Sequence, residues 1–212
     1  QTTGDIIFKE RAGYIVSELA EVQQANGDGY IGAFSDGKRI FEEEIANGII
    51  RSQGFDLNGI WAPFYTHHKV MAGLRDTYRV FGSERALQVE KQFAVWIGSI
   101  VLGLTNEQLQ EMMHCEFGGV QETLADLYVD ADDDRYLEIA KVFHHKAIID
   151  PLTEGQDSLP GKHGNTQIPK LIASSRLYEI TGKQNFRKPA EFFWNTVVNH
   201  HSYVTGGHGN HE

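Results

Sequence analysis

The chain has 212 residues, 41% of them apolar and 23% charged, which suits one ordinary globular domain. Its net charge of −10 excludes a nucleic-acid binder built on lysine and arginine clusters, and no apolar run is long enough to span a membrane. A single cysteine, Cys115, excludes an internal disulfide and any multi-cysteine metal site within these residues.

The N-terminal Gln1–Asp5 lacks the basic flank and apolar core of a signal peptide. Apolar spacing then predicts helices over about 6–25, 64–80, 84–102, 118–129, 134–148, 166–180 and 184–200. Between the first two, Asn26 to Gly59 is broken by Gly27, Gly29, Gly32, Gly37, Gly48, Gly54 and Gly59. Tyr30, Phe34, Phe41 and Phe55 make that stretch an ordered excursion, with room for a short hairpin. The later helices recur as pairs. Tyr78, Tyr128 and Tyr178 close the first helix of each pair and Phe93, Phe143 and Phe193 mark the second, always 50 residues apart. Gly82, Asp132 and Gly182 sit in the intervening turns, where a left-handed backbone is cheap for Gly and Asp, and Thr3-Gly4-Asp5 reads as one more copy of that turn.

Helix pairs that cannot bury their apolar faces alone must stack, either in an open solenoid or in a closed toroid of inner and outer helices. A step of 50 residues is long for a solenoid and suits the toroid. The expected fold is therefore all-α, a single partial toroid domain over 1–212 with about four helix pairs, cut at both ends.

The polar residues collect at one phase of the repeat. Thr66, Glu116 and Thr166 are 50 apart, each near the start of the first helix of its pair, and Thr205-Gly206-Gly207-His208 falls at the same phase of a fourth unit. In a toroid such loops share one mouth, where helix N-termini offer free N–H groups. Bland roles are open for each. His67-His68 can be a helix-start pair with one ring exposed and one hydrogen-bonded. Glu116 and Glu122 can complement a helix dipole, Asn165-Thr166 with Pro169 can be a helix entry, and the glycines around 206 can only shape a turn. His144-His145 and His200-His201 read as cations late in second helices. His208-x-x-His211-Glu212 has a zinc-peptidase spacing, but Gly206, Gly207 and Gly209 deny it the regular helix such ligands need. Asp130–Asp134 has a calcium-loop composition without the required Gly and distal Glu, and reads as a solvated turn.

Taken together, Trp61-Ala62-Pro63-Phe64-Tyr65-Thr66-His67-His68-Lys69, Glu116-Phe117-Gly118-Gly119-Val120-Gln121-Glu122, His163-Gly164-Asn165-Thr166-Gln167-Ile168-Pro169-Lys170 and Tyr203-Val204-Thr205-Gly206-Gly207 with Glu212 resemble the β-L-arabinofuranosidase family, glycoside hydrolase family 127, and its relative family 146. The resemblance runs along essentially the whole chain in order. It implies an (α/α)6 toroid and the release of terminal L-arabinofuranose from plant glycans with retention. The partner is then an arabinose-containing oligosaccharide or glycan, and the setting a bacterial periplasm or exterior rather than cytoplasm. It also implies a zinc-bound cysteine nucleophile whose ligands, a Glu and three Cys, lie outside this chain; Cys115 matches none of them. No cofactor is expected in these residues alone, and this chain alone is expected to be inactive. Glu212 matches the family's acid/base, with His68 and His163 near the sugar. Glu116, Gln121 and Asn165, in the same motifs, complete the set of substrate-binding candidates. Two other classes fit the same helical repeat: a toroid epimerase or polysaccharide lyase, and a non-catalytic carbohydrate-binding protein.

Overall fold

A computed structural model describes residues 3–208 of the chain. Helix α1 (Ile6–Asn26) starts where the Asp5 carboxylate accepts the Ile7 N–H and stops at left-handed Gly27. The excursion then folds as a short α2 (Gly37–Arg39), a π turn (Ile40–Glu44) and a 3-10 turn (Ile45–Asn47). Strands β1 (Ser52–Gln53), β2 (Asp56–Leu57) and β3 (Ile60–Trp61) follow as an antiparallel meander. The meander reaches Trp61, two residues past the expected limit at Gly59. Phe41, Ile45 and Leu57 are wholly buried, so the excursion is part of the core.

Three helix pairs come next: α3 (Pro63–Phe81) with α4 (Glu84–Val101), α6 (Val120–Ala131) with α7 (Asp134–Val142), and α9 (Gly164–Thr181) with α10 (Gln184–Thr196), which ends in a π turn (Val197–His201). Two short helices, α5 (Asn106–Met112) and α8 (Lys146–Thr153), connect the pairs. First helices touch one another, α3 on α6 and α6 on α9, while each second helix packs against its own first helix. The result is the expected all-α arrangement of inner and outer helices, with the meander as the only sheet among the described residues.

The 50-residue step is visible atom by atom. Gly82 and Gly182 both stand at φ 68° and both donate their N–H to the tyrosine four residues earlier, Tyr78 and Tyr178, at 2.8 Å. Asp132 takes the left-handed conformation at the corresponding turn, with φ 51°. The inner helices also lie parallel and in register. His68 meets Gly119, Met71 meets Thr123, Arg75 meets Asp126 and Arg79 meets Asp130, every partner 51 or 52 residues on. Asp126, 6% exposed, joins all three inner helices: it accepts from Arg75 and Arg79 on α3 and, at 2.8 Å, from Arg176 on α9.

Two departures from the sequence reading have local causes. The single helix expected over 134–148 is broken at His144-His145, because Gln110 of α5 donates to the His144 carbonyl and accepts the Lys146 N–H, both at 2.9 Å. Those bonds use the backbone groups that a continuous helix would need. Helix α5 was not expected at all, although Thr105 and Gln108 form a complete capping box at its start.

Replacing Asp126 removes a buried charge shared by three arginines. Asp126→Ala is expected to cost about 3 kcal/mol, or roughly 6–12 °C in Tm for a chain of this size. Thermal unfolding checks this, and a loss of under about 1 kcal/mol, the range of an exposed pair, would show that Asp126 does not join the helices.

Candidate functional site

Because α3, α6 and α9 run parallel, their N-termini open at one end of the arc. The segment 114–119 that leads into α6 is tied down there by the meander, since Glu116 donates its N–H to the Gly54 carbonyl at 3.0 Å. Phe55, next in that turn, stacks on the largely exposed Trp61 and meets the His163 ring edge-on at 5.9 Å. Meander, central loop and α9 entry therefore form one rim.

His68 sits under that loop. Its Nδ1 accepts the Gly119 N–H at 3.0 Å, so the neutral ring carries its proton on Nε2. A Cβ on Gly118 would lie 2.8 Å from Nδ1 and one on Gly119 2.8 Å from Nε2. The glycine pair is thus required by the close approach of the ring, not by turn geometry alone. Burial, then the Lys69 and Arg75 charges, lower the His68 pKa to about 4, so at neutral pH it is an N–H donor without charge.

Its neighbour His67 is neither exposed nor hydrogen-bonded, contrary to the bland expectation. It is wholly buried among Phe34, Phe41, Phe64, Phe93 and Trp96, the nearest ring centroid being that of Phe93 at 4.9 Å. Neither ring nitrogen has a partner, and burial alone pushes the pKa down to about 3.

On the α9 side stands a lysine that is 2% exposed. Lys170 Nζ is 2.9 Å from His145 Nδ1 and 3.0 Å from Gln167 Oε1, and it lies 5.0 Å from the centroid of Phe117. Burial draws its pKa down to about 8, while the buried Glu116 pulls the other way.

A cavity of about 670 Å³ opens beside these groups at the entry of α9. His163, Gln167, His201, Tyr203 and His208 are among its walls, and His201 Nε2 is 2.7 Å from Asp157 Oδ2. A groove of about 740 Å³ between α1, α4 and α7 is lined by no residue of the inner-helix loops, while an apolar trough of about 1010 Å³ along α9 and α10 shares Ile168, Phe193, Val197, Ser202, Tyr203 and His208 with the cavity. Polarity and position at the entry of α9 favour the first cavity as a ligand site.

Of the residues singled out in the sequence, His163 lines this cavity and Asn165 is exposed near it. His68 and Glu116 are buried at the central loop and are not among its walls. Gln121 faces the other way, its amide donating to the Ala140 carbonyl of α7 at 3.0 Å. Residues 209–212, and with them Glu212 and His211, lie outside the described residues. Lys170, His145 and the Asp157–His201 pair were missed. Lys170 could have been found, for it falls on the buried stripe of Gln167, Ser174 and Leu177, where an unpaired lysine does not belong.

The described residues do not fit zinc. They contain no group of three or more His, Cys, Asp or Glu placed to hold a metal ion. The Cys115 thiol is pushed up to about 12 by burial and by Asp56 and Glu116, the reverse of what a thiolate ligand needs.

The family model described as β-L-arabinofuranosidase, GH127 catalytic domain, matches residues 1–212, the full sequence. No curated protein matches the chain.

The histidine environments give a pH dependence with a definite sign. The unfolded chain takes up a proton at His67 near pH 6.5, the folded chain only near 3, so stability falls as pH drops through that window. His67→Phe removes this dependence and two unmet polar atoms. It is expected to raise stability by about 1 kcal/mol at pH 7 and by roughly 2 kcal/mol more at pH 5. Denaturant titrations at both pH values check it; destabilisation at pH 7 would mean that the ring nitrogens are satisfied.

Proposed function

The chain belongs to the β-L-arabinofuranosidase family of glycoside hydrolases, and from that membership we propose that it takes part in releasing terminal L-arabinofuranose from plant glycans with retained configuration. The match along the whole sequence carries this reading. The polar cavity at the entry of α9 supports it, because its volume of about 670 Å³ lies in the range of small-ligand sites.

The side chains around the cavity suit a neutral, hydroxyl-rich ligand. Tyr203 offers an aromatic face for sugar C–H groups, and the imidazoles of His163 and His201 can exchange hydrogen bonds with hydroxyls. The Asp157 carboxylate fixes one nitrogen of His201, leaving the other to be presented. The zinc implied by the family resemblance finds no ligand set among the described residues.

The proton step is assigned to Glu212. His208, which lines the cavity, is four residues before it in the sequence. The carboxyl gives its proton to the departing glycosidic oxygen as the anomeric C–O bond breaks and that carbon bonds to a nucleophile outside the described residues; the carboxylate then takes a proton from the water whose oxygen displaces that nucleophile. Such a group must hold its proton near neutral pH, which burial or a neighbouring negative charge provides.

Glu212→Gln in the full-length protein tests the assignment, using a natural arabinose disaccharide and an activated aryl arabinofuranoside. The disaccharide, whose leaving group needs the proton, should lose roughly 10²–10⁴-fold in rate, the aryl substrate far less. Equal, small losses on both would place the acid elsewhere.

A further inference from the structure

We propose that Gln167 is a sugar-binding residue that presents its amide N–H groups to a sugar oxygen in the α9 cavity, and that buried Lys170 is the positioning residue that holds it so; both assignments rest on the cavity being the arabinofuranoside site.

An ammonium group has three protons and no lone pair. Lys170 directs them at the His145 nitrogen, the Gln167 oxygen and the face of Phe117, so its capacity is filled. Only one orientation of the Gln167 amide is compatible with this. Rotating it by half a turn would set an –NH2 against an –NH3+ with no acceptor between them. The oxygen end is therefore committed to Lys170, and the end that Gln167 has left to offer in the cavity it lines is a pair of N–H donors. Free hydroxyls and the ring oxygen of a sugar all accept such bonds.

The remaining partners hold the lysine in this role. His145 begins α8 and accepts through Nδ1; burial and the Lys170 charge lower its pKa to about 3, so it stays a neutral acceptor. Phe117 belongs to the central loop before α6 and is 1% exposed. Lys170 thus fixes the amide relative to the preceding repeat unit, through its central loop and the start of α8, and not merely to its own helix. A charge taken out of water costs several kcal/mol unless each of its protons is met, so a lysine kept here without a task would be a liability that methionine avoids.

Gln167→Glu separates binding from structure, because a carboxylate still accepts from Lys170 but donates nothing to a sugar. Binding is read by calorimetric titration with L-arabinose, and turnover with an aryl arabinofuranoside, both in the full-length protein. Gln167→Glu is expected to keep the wild-type Tm while Kd and KM rise about three- to tenfold, the worth of one hydrogen bond, with kcat unchanged. Lys170→Met should weaken binding similarly, and the double variant Lys170→Met/Gln167→Met no more than Gln167→Met alone, since Lys170 acts through Gln167. If Lys170→Met fails to fold, Gln167→Glu still decides. Wild-type Kd and KM in Gln167→Glu would overturn the donor role, and multiplying losses in the double variant would overturn the positioning role. Wild-type binding of L-arabinose without turnover would overturn the proposed function alone. Absence of both in the wild type would overturn both.

Discussion

The structure depends on the parallel register of three inner helices, and that register is set around one carboxylate. Asp126 takes arginines from the helix before it and the helix after it in the ring, so a one-turn slip of any of the three would strand a buried charge. Apolar packing alone tolerates such a slip better, since leucine and alanine ridges repeat every turn. With the register fixed, the starts of α3, α6 and α9 are held at one end. Loops more than 50 residues apart in sequence then touch there, as Gly119 does His68.

The same end of the arc carries an unusual number of buried titratable groups: His67, His68, Glu116, His145 and Lys170 are all at most 9% exposed. Their fates differ by partner. His68 and His145 each have one nitrogen met by a donor and stay neutral through burial. His67, with no partner, is held by aromatic rings alone and has the character of a core residue. Lys170 is paired on every side and remains a cation. None of these five groups is among the walls of the α9 cavity; Lys170 bears on it through Gln167, whose amide is one of those walls.

The period of the fold was legible because it rests on local chemistry. Gly82, Asp132 and Gly182 must adopt a left-handed backbone, and tyrosines four residues before each glycine receive the same N–H. What escaped detection depends on side chains that meet across long separations. Gln110 breaks the helix at His144-His145 from 34 residues away, and no periodicity near residue 144 announces it. Helix α5 is seven residues long, too short for an apolar stripe to show, and only its capping box marked it. For the site, motif positions located the right loops but not the direction of each side chain. His163 reaches the cavity, Gln121 turns to α7, and Lys170, the last residue of its motif, is buried.

The central claim is that the end of the arc where α9 begins is where the sugar is held. A crystal structure of the full-length protein soaked with L-arabinose tests it most directly. The account predicts the sugar in the cavity bounded by His163, Gln167 and Tyr203, with a sugar oxygen within hydrogen-bond distance of Gln167 Nε2. A sugar seated instead in the groove between α1, α4 and α7, with the α9 cavity holding only water, would contradict it.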